Sequence, residues 1–387
     1  MKKPFDLFSR LQRRFFKQSA LSGPENDNFF TTGEIAASRR DRSLASFRNT
    51  IESGLKAWRE DPLGRRIVSL TTQFSVGRGF RISADDPAVD SFLHEFWEHP
   101  LNRMDARLTE WSDELCRTGN LFVMLSSDTG GMSYVRAIPA GLIEEIVSAE
   151  NDVEQPALFR VREYSGDENY RLPELKEVEP ASLEKPEIRE VMLHFTVNRP
   201  IGAQWGESDL APVLIWLDRY RDWLNDRWVL NHYRSSFVYM VKAPGLSEPM
   251  RTLRQHQLNM ARPQPGEIVV VGGDEEWQAV KPNFESGEAN EDGLSFKKMI
   301  AAGVGIPVSF LAEPGTTSKA ESGGTEDSVC RNFRQRQQTL LWIVETVLRH
   351  VLVRGAHVRG DLDKNAEIHV YGDDIAMPGL TEGGIVR

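Results

Sequence analysis

Apolar and polar positions alternate with two different periods along this chain, and the switches between them divide it into blocks. At 5–17, DLFSRLQRRFFK after Phe5 interleaves Phe5, Leu7, Phe8, Leu11, Phe15 and Phe16 with Arg10, Arg13, Arg14 and Lys17. That is a basic amphipathic arm, able to pack on protein or to touch a membrane or nucleic acid. GPENDNFF after it has turn composition and reads as a linker. Helical spacing resumes at 43–59 and stops at Asp61-Pro62; a second helix covers 63–76 and ends at Gly77 and Gly79. FRIS is a short strand, Asp86-Pro87 opens a helix through Trp97, and 104–117 forms another with Leu108, Trp111 and Leu115 on one face.

From Gly119 the period becomes two. LFVMLSS, a turn at Gly130-Gly131 and SYVRAIPA predict a hairpin, and ALFRVREYS and VMLHFTV predict further strands. The Glu-, Lys- and Pro-rich run at 174–190 predicts a solvated loop. Leu210, Val213, Leu214, Leu217, Tyr220, Leu224 and Trp228 then recur at helical spacing. FVYMVKA is a strand, and Ser247 caps a short helix with Pro249 in its first turn. Residues 266–282 read as two short strands around Gly272-Gly273. Then come a helix ending at Gly305, a polar Gly/Ser-rich loop, a long helix from about Thr325 to Arg354, and a strand at EIHVYG.

Charge narrows the function classes. With 57 acidic against 47 basic residues the net charge is -10, unlike a protein that grips phosphates through clustered Lys and Arg. It does not exclude a protein past which nucleic acid slides, where a repulsive wall would be useful. No run reaches the roughly 18–20 apolar residues of a membrane span, and the N-terminal residues lack an apolar signal core, so no membrane partner and a cytoplasmic site of synthesis are expected. Cys116 and Cys330, the two cysteines, read as small core residues.

No catalytic motif survives inspection. Gly206-Glu207-Ser208 begins like a nucleophile elbow, but position 210 is Leu where G-x-S-x-G needs glycine; Ser208 or Asp209 reads as a helix cap. The eight histidines have no metal-ligand spacing, and no phosphate-binding loop is present. Neither a metal nor another cofactor is expected. Trp205, Trp216, Trp223 and Trp228 crowd one helix and its approach and point to a core or a subunit interface.

The order of these blocks resembles the portal (connector) proteins of tailed bacteriophages. Four passages carry the resemblance: LGRRIVSLTTQFSVGRGFRI; ELCRTGNLFVMLSSDTGG with VRAIPAGLIEEI; RPIGAQWGESDLAPVLIWLDRYRDW; and FKKMIAAGVGIPVSFLAEPGTTSKAESG. The resemblance implies an α+β subunit of a ring oligomer, of twelve copies in the family, with no enzymatic activity. Its parts would be an N-terminal arm and linker (1–30), a wing (31–246), a stem helix (247–262), a small β clip (263–288), a second stem helix (289–310), a tunnel loop (311–324), and a long helix with a short crown or wing remnant (325–387). In the tunnel loop, Thr316, Thr317, Ser318, Lys319 and Glu321 would face double-stranded DNA. Arg251, Arg254, Lys297 and Lys298 would supply the stem charges, and Glu267, Asp274, Glu275, Glu276 and Trp277 the clip. The implied partners are further copies of the chain, the terminase large subunit, the major capsid protein and a head–tail adaptor. The implied location is the capsid vertex of a virion, after assembly in the host cytoplasm. Two other readings stand beside it: an esterase centred on Ser208, and a non-phage scaffold built on the Trp-rich helix.

Overall fold

The computed structural model describes residues 41–150, 152–163, 174–186, 190–235, 238–260, 276–280, 289–311 and 319–375. They fall into two units, one formed by the segments up to Leu214 and from Gly303, the other by Ile215–Ala302.

The first unit holds α1 (Leu44–Glu60), α2 (Pro62–Val76), α3 (Pro87–Glu98) and α4 (Met104–Thr118). The first three start where short polar side chains satisfy free N–H groups of the first turn, while α4 follows Arg103 in the left-handed region without a side-chain cap. The Ser43 hydroxyl accepts from the Ser46 N–H. Asp61 accepts from Leu63 and Gly64, and Asp86 from Ala88 and Val89. Pro62 and Pro87 occupy the first helical position, where no N–H is missed.

The strands are β1 (Arg81–Ala84), β2 (Asn120–Ser127), β3 (Ser133–Ile138), β4 (Ile143–Ala149), β5 (Asp152–Glu163), β6 (Glu174–Pro180) and β7 (Val191–Thr196). Six of them form one sheet in the order β3-β2-β7-β6-β5-β4, in which β6–β7 is the parallel pair. The strand period of two explains how β2 and β7 bury both faces. Leu121, Val123, Leu125, Val191, Leu193 and Phe195 enter one apolar core with the helices. Phe122 and Met192 enter another with Ile143, Ile146, Phe159 and Val178.

The expected loop at 174–190 is corrected in its first half, where Glu174–Pro180 is strand β6. It pairs residue for residue with β5, from Phe159↔Val178 to Glu163↔Glu174, and Val178 turns into the core. Backbone pairing and one buried Val thus override a composition that suits solvent.

The last long helix of the chain is α9 (Lys319–Arg359), after α8 (Val308–Leu311); it starts at Lys319 and not near Thr325. Its Phe333, Leu340, Val344, Val347, Leu348 and Val351 recur at helical spacing and are buried. Strand β10 (Ile368–Tyr371) pairs with β1 in a separate two-stranded ladder.

The second unit holds α5 (Leu214–Ser235) from Ile215 onward, β8 (Val238–Lys242), α6 (Glu248–Met260), β9 (Glu276–Val280) and α7 (Ala289–Val304) as far as Ala302. Leu210 and Val213, expected in α5, are buried in the turn that precedes it. Among the described residues no helix is long and apolar enough to cross a membrane.

Candidate channel and docking segments

Helix α6 carries two of the expected stem charges. Its first turn closes with the Arg251 N–H on the Ser247 carbonyl at 2.9 Å, and Arg251 Nε returns to the Leu246 carbonyl at 3.1 Å. Arg251 is exposed and Arg254 half-buried. No residue of this helix is buried. Met250, Leu253 and Met260, which share one face at helical spacing, are 56%, 61% and 82% exposed. Among the described residues this apolar stripe is left largely uncovered, and an open apolar patch is a candidate for contact with another surface.

Helix α7 carries Lys297, half-buried, and Lys298, exposed. It is held to α5 by aromatic rings: Phe296 lies 6.4 Å from Tyr220 and from Trp223, and 6.5 Å from Trp216. Gly293 makes this approach possible, because a Cβ there would stand 2.6 Å from the Trp223 ring. Trp228 is 67% exposed, while Trp205, Trp216 and Trp223 are half-buried.

The expected clip is only partly within the described residues. Its second strand is β9, and β9 pairs antiparallel with β8, with Val241↔Trp277 and Lys242↔Glu276 in register. Lys242 and Glu276 also form an ion pair at 3.6 Å. Glu276 is exposed and Trp277 half-buried. Glu267, Asp274 and Glu275 lie outside the described residues, as do Thr316, Thr317 and Ser318 of the expected tunnel loop. Lys319 and Glu321 fall in the first turn of α9.

Sequence inspection missed a polar junction in the first unit. The Arg336 guanidinium meets both carboxylate oxygens of Asp209 at 2.6 and 2.7 Å, and Asn198 Nδ2 donates to the same carboxylate at 2.6 Å. These groups line an open groove of about 870 Å³ with Gly303, Gly305 and Asn332. The residues lie far apart in sequence, and no local spacing announces them.

Ser208 belongs to the same junction as a structural cap. Its buried hydroxyl donates to the Cys116 carbonyl at 3.1 Å and accepts from the Leu210 N–H at 3.0 Å. Among the described residues the hydrogen-bond partners of Ser208 and Asp209 include no histidine. Burial pushes the Cys116 thiol well above its ordinary range, which leaves it inert as a nucleophile.

Behind this junction, Asn120 ties three segments together. Its Oδ1 accepts from the Gly206 N–H at 2.9 Å and faces His194 Nε2 at 3.1 Å. Its Nδ2 donates to the carbonyls of Thr118 and Gly206. Gly206 must be glycine, since a Cβ would stand 2.1 Å from the Gly119 carbonyl oxygen.

The chain is therefore an α+β protein with a mixed sheet, a long late helix, and a helix-rich unit that presents an open apolar stripe. No protein-family model matches it, and neither does any curated protein. Solved structures do share the fold. A chain of the virion of a native gene transfer agent particle superposes with a TM-score of 0.59 at 14% identity, over 89% of each chain. A chain from the neck of the native particle, computed with C12 symmetry, gives 0.59 at 15% identity over 90% of each. A crystal structure of an HK97 family phage portal protein from Corynebacterium diphtheriae aligns more loosely, with a TM-score of 0.42 and 12% identity, over 80% of this chain and 94% of that one. The chain is α+β, as expected from the sequence, and shares the fold of these gene-transfer-agent virion and neck chains.

Proposed function

We propose that this chain is a portal subunit: copies of it close into a ring at one vertex of a phage or gene-transfer capsid, and double-stranded DNA passes through the ring without chemistry. The observation that carries the reading is α6, a helix with no buried residue and an outward apolar stripe, in a chain with the fold of a virion-neck component. Ring closure would bury that stripe against a neighbouring copy, and a heterologous interface of this kind closes when its rotation does. The neck structure computed with C12 symmetry supports twelve copies.

In such a ring each side chain becomes a ring of identical charges. Lys319 and Glu321, just after Thr316, Thr317 and Ser318, would give a positive and a negative girdle in the narrowest part of the channel. Arg251, Arg254, Lys297 and Lys298 would add charges along the stem. Such rings act on phosphates without reading bases, and the acidic balance of the chain keeps DNA from sticking. The clip with Glu267, Asp274, Glu275, Glu276 and Trp277 would dock the terminase large subunit during packaging and a head–tail adaptor afterwards. The major capsid protein would surround the wing, with assembly in the host cytoplasm. ATP hydrolysis would belong to the terminase.

The test is negative-stain electron microscopy of the purified chain with native mass measurement. Closed rings of about a dozen subunits, with a hole that admits a DNA duplex, are expected. Closed dimers that bury α6, or intrinsic hydrolysis of nucleotide by the purified chain, would overturn the reading.

A further inference from the structure

The β1–β10 ladder joins residues at opposite ends of the described chain. Its register, Ser83↔His369 and Ala84↔Ile368, continues one step further, where the Asp85 N–H donates to the Glu367 carbonyl at 3.3 Å. Asp85 therefore stands opposite Glu367. The period of two puts Glu367 and His369 on one face, while Ile368 between them turns into the core. One donor atom each of Asp85, Glu367 and His369 lies within 4.8 Å of the other two. His369 Nε2 approaches Asp85 Oδ1 to 3.1 Å. Glu367 makes no ion pair among the described residues, although it faces a second carboxylate across the strands. Like charges placed directly opposite weaken a ladder unless a cation lies between them.

We infer that Asp85, Glu367 and His369 form a site for a divalent transition-metal ion such as Zn²⁺, a metal staple across the β1–β10 ladder. The donor set mixes one imidazole nitrogen with carboxylate oxygens, which suits Zn²⁺ or Mn²⁺ better than the all-oxygen preference of Mg²⁺ and Ca²⁺. Three protein ligands at an exposed corner leave the remaining positions to water. A two-stranded ladder is marginal by itself, and an ion here closes the long loop between β1 and β10, where a cross-link removes the most chain entropy. The site is independent of the portal reading, because the ligands and the ladder lie within one chain.

The experiment uses the full chain, stripped with EDTA, and titrates it with Zn²⁺ and separately with Mg²⁺ by calorimetry, with thermal unfolding followed in parallel. One equivalent of Zn²⁺ per chain and a higher melting temperature are expected. Glu367→Gln keeps the shape of the side chain and should weaken Zn²⁺ by about tenfold or more, as should His369→Ala; even supporting groups around metals cost that much. His357→Ala, at an exposed position on α9, should bind as the parent does. Zn²⁺ binding unchanged in Glu367→Gln and His369→Ala, no binding at millimolar Zn²⁺, or Mg²⁺ as effective as Zn²⁺ would each overturn the proposal.

Discussion

At the scale of single residues, His194 is where burial and charge meet most sharply. Its ring lies 4.2 Å from Phe122 with the planes 3° apart, and Phe159 and Trp205 approach it edge-on. Because Asn120 Oδ1 accepts from the Gly206 N–H, His194 Nε2 must carry the proton it presents to that oxygen. Burial, and then the nearby Arg199 charge, lowers the imidazole to about 3, so the folded chain holds it neutral. A histidine protonated in the unfolded chain but not in the fold stabilises the fold fully above its unfolded value near 6.5. That stabilisation is lost as pH falls from there toward 3. Between pH 7.5 and 4.5 this one group should take away about 2–3 kcal/mol. Urea unfolding at the two pH values checks it: in His194→Gln the drop should be smaller by that amount. An equal drop in parent and variant would show that the ring is not the titrating group.

At the scale of elements, β6 shows which forces hold a strand that composition disguises. Three side chains form a charge row across β4, β5 and β6, with Arg160 bonded to Glu145 at 2.5 Å and to Glu177 at 3.3 Å. All three are solvent-accessible, and exposed pairs contribute about 0–1 kcal/mol. Val178, by contrast, is buried beside Phe159. Glu177→Gln should therefore change stability by less than about 1 kcal/mol, while Val178→Asp, which buries an unpaired charge, should cost about 3 kcal/mol or more. Denaturant midpoints with unchanged slopes would measure both, and the reverse ranking would mean that the charge row holds the strand. The same contrast explains what was legible beforehand. Ser43, Asp61-Pro62 and Asp86-Pro87 set helix starts within a few residues, and the failed G-x-S-x-G at Ser208 is equally local, so both could be read. Partners distant in sequence could not. Nothing in FRIS or EIHVYG says that they pair, and the contribution of Arg336 to Asp209 needs the tertiary fold. At the start of α9, glycines and serines suggested a loop, yet helix runs from Lys319. Asp85 meets Glu367 and His369 only through a strand register that no spacing encodes.

At the scale of the whole molecule, the question is what the second unit does with the apolar surface it leaves open. A surface helix of a monomer turns its stripe inward; α6 turns Met250 and Leu253 outward, and Ile215, Leu224 and Met299 on the other two helices are exposed as well. Each apolar side chain of this size is stabilised by roughly 1.5–3 kcal/mol when fully buried from full exposure, so covering Met250 and Leu253 contributes a few kcal/mol toward a larger interface. Fold and assembly can be separated here, because among the described residues no residue of α6 is buried. Met250→Glu with Leu253→Glu should leave the circular dichroism spectrum as in the parent and unfolding cooperative, with a midpoint lowered only by the lost assembly. It should also leave the chain monomeric where the parent forms rings, since an interface centre cannot take paired carboxylates without cost. Native mass spectrometry and negative-stain images read assembly, and unfolding reads the fold. Rings that persist in the double variant would move the subunit contact elsewhere and remove the main support for the portal reading. A variant that unfolds would instead show that α6 packs within its own chain, leaving the exposed stripe without the meaning given to it.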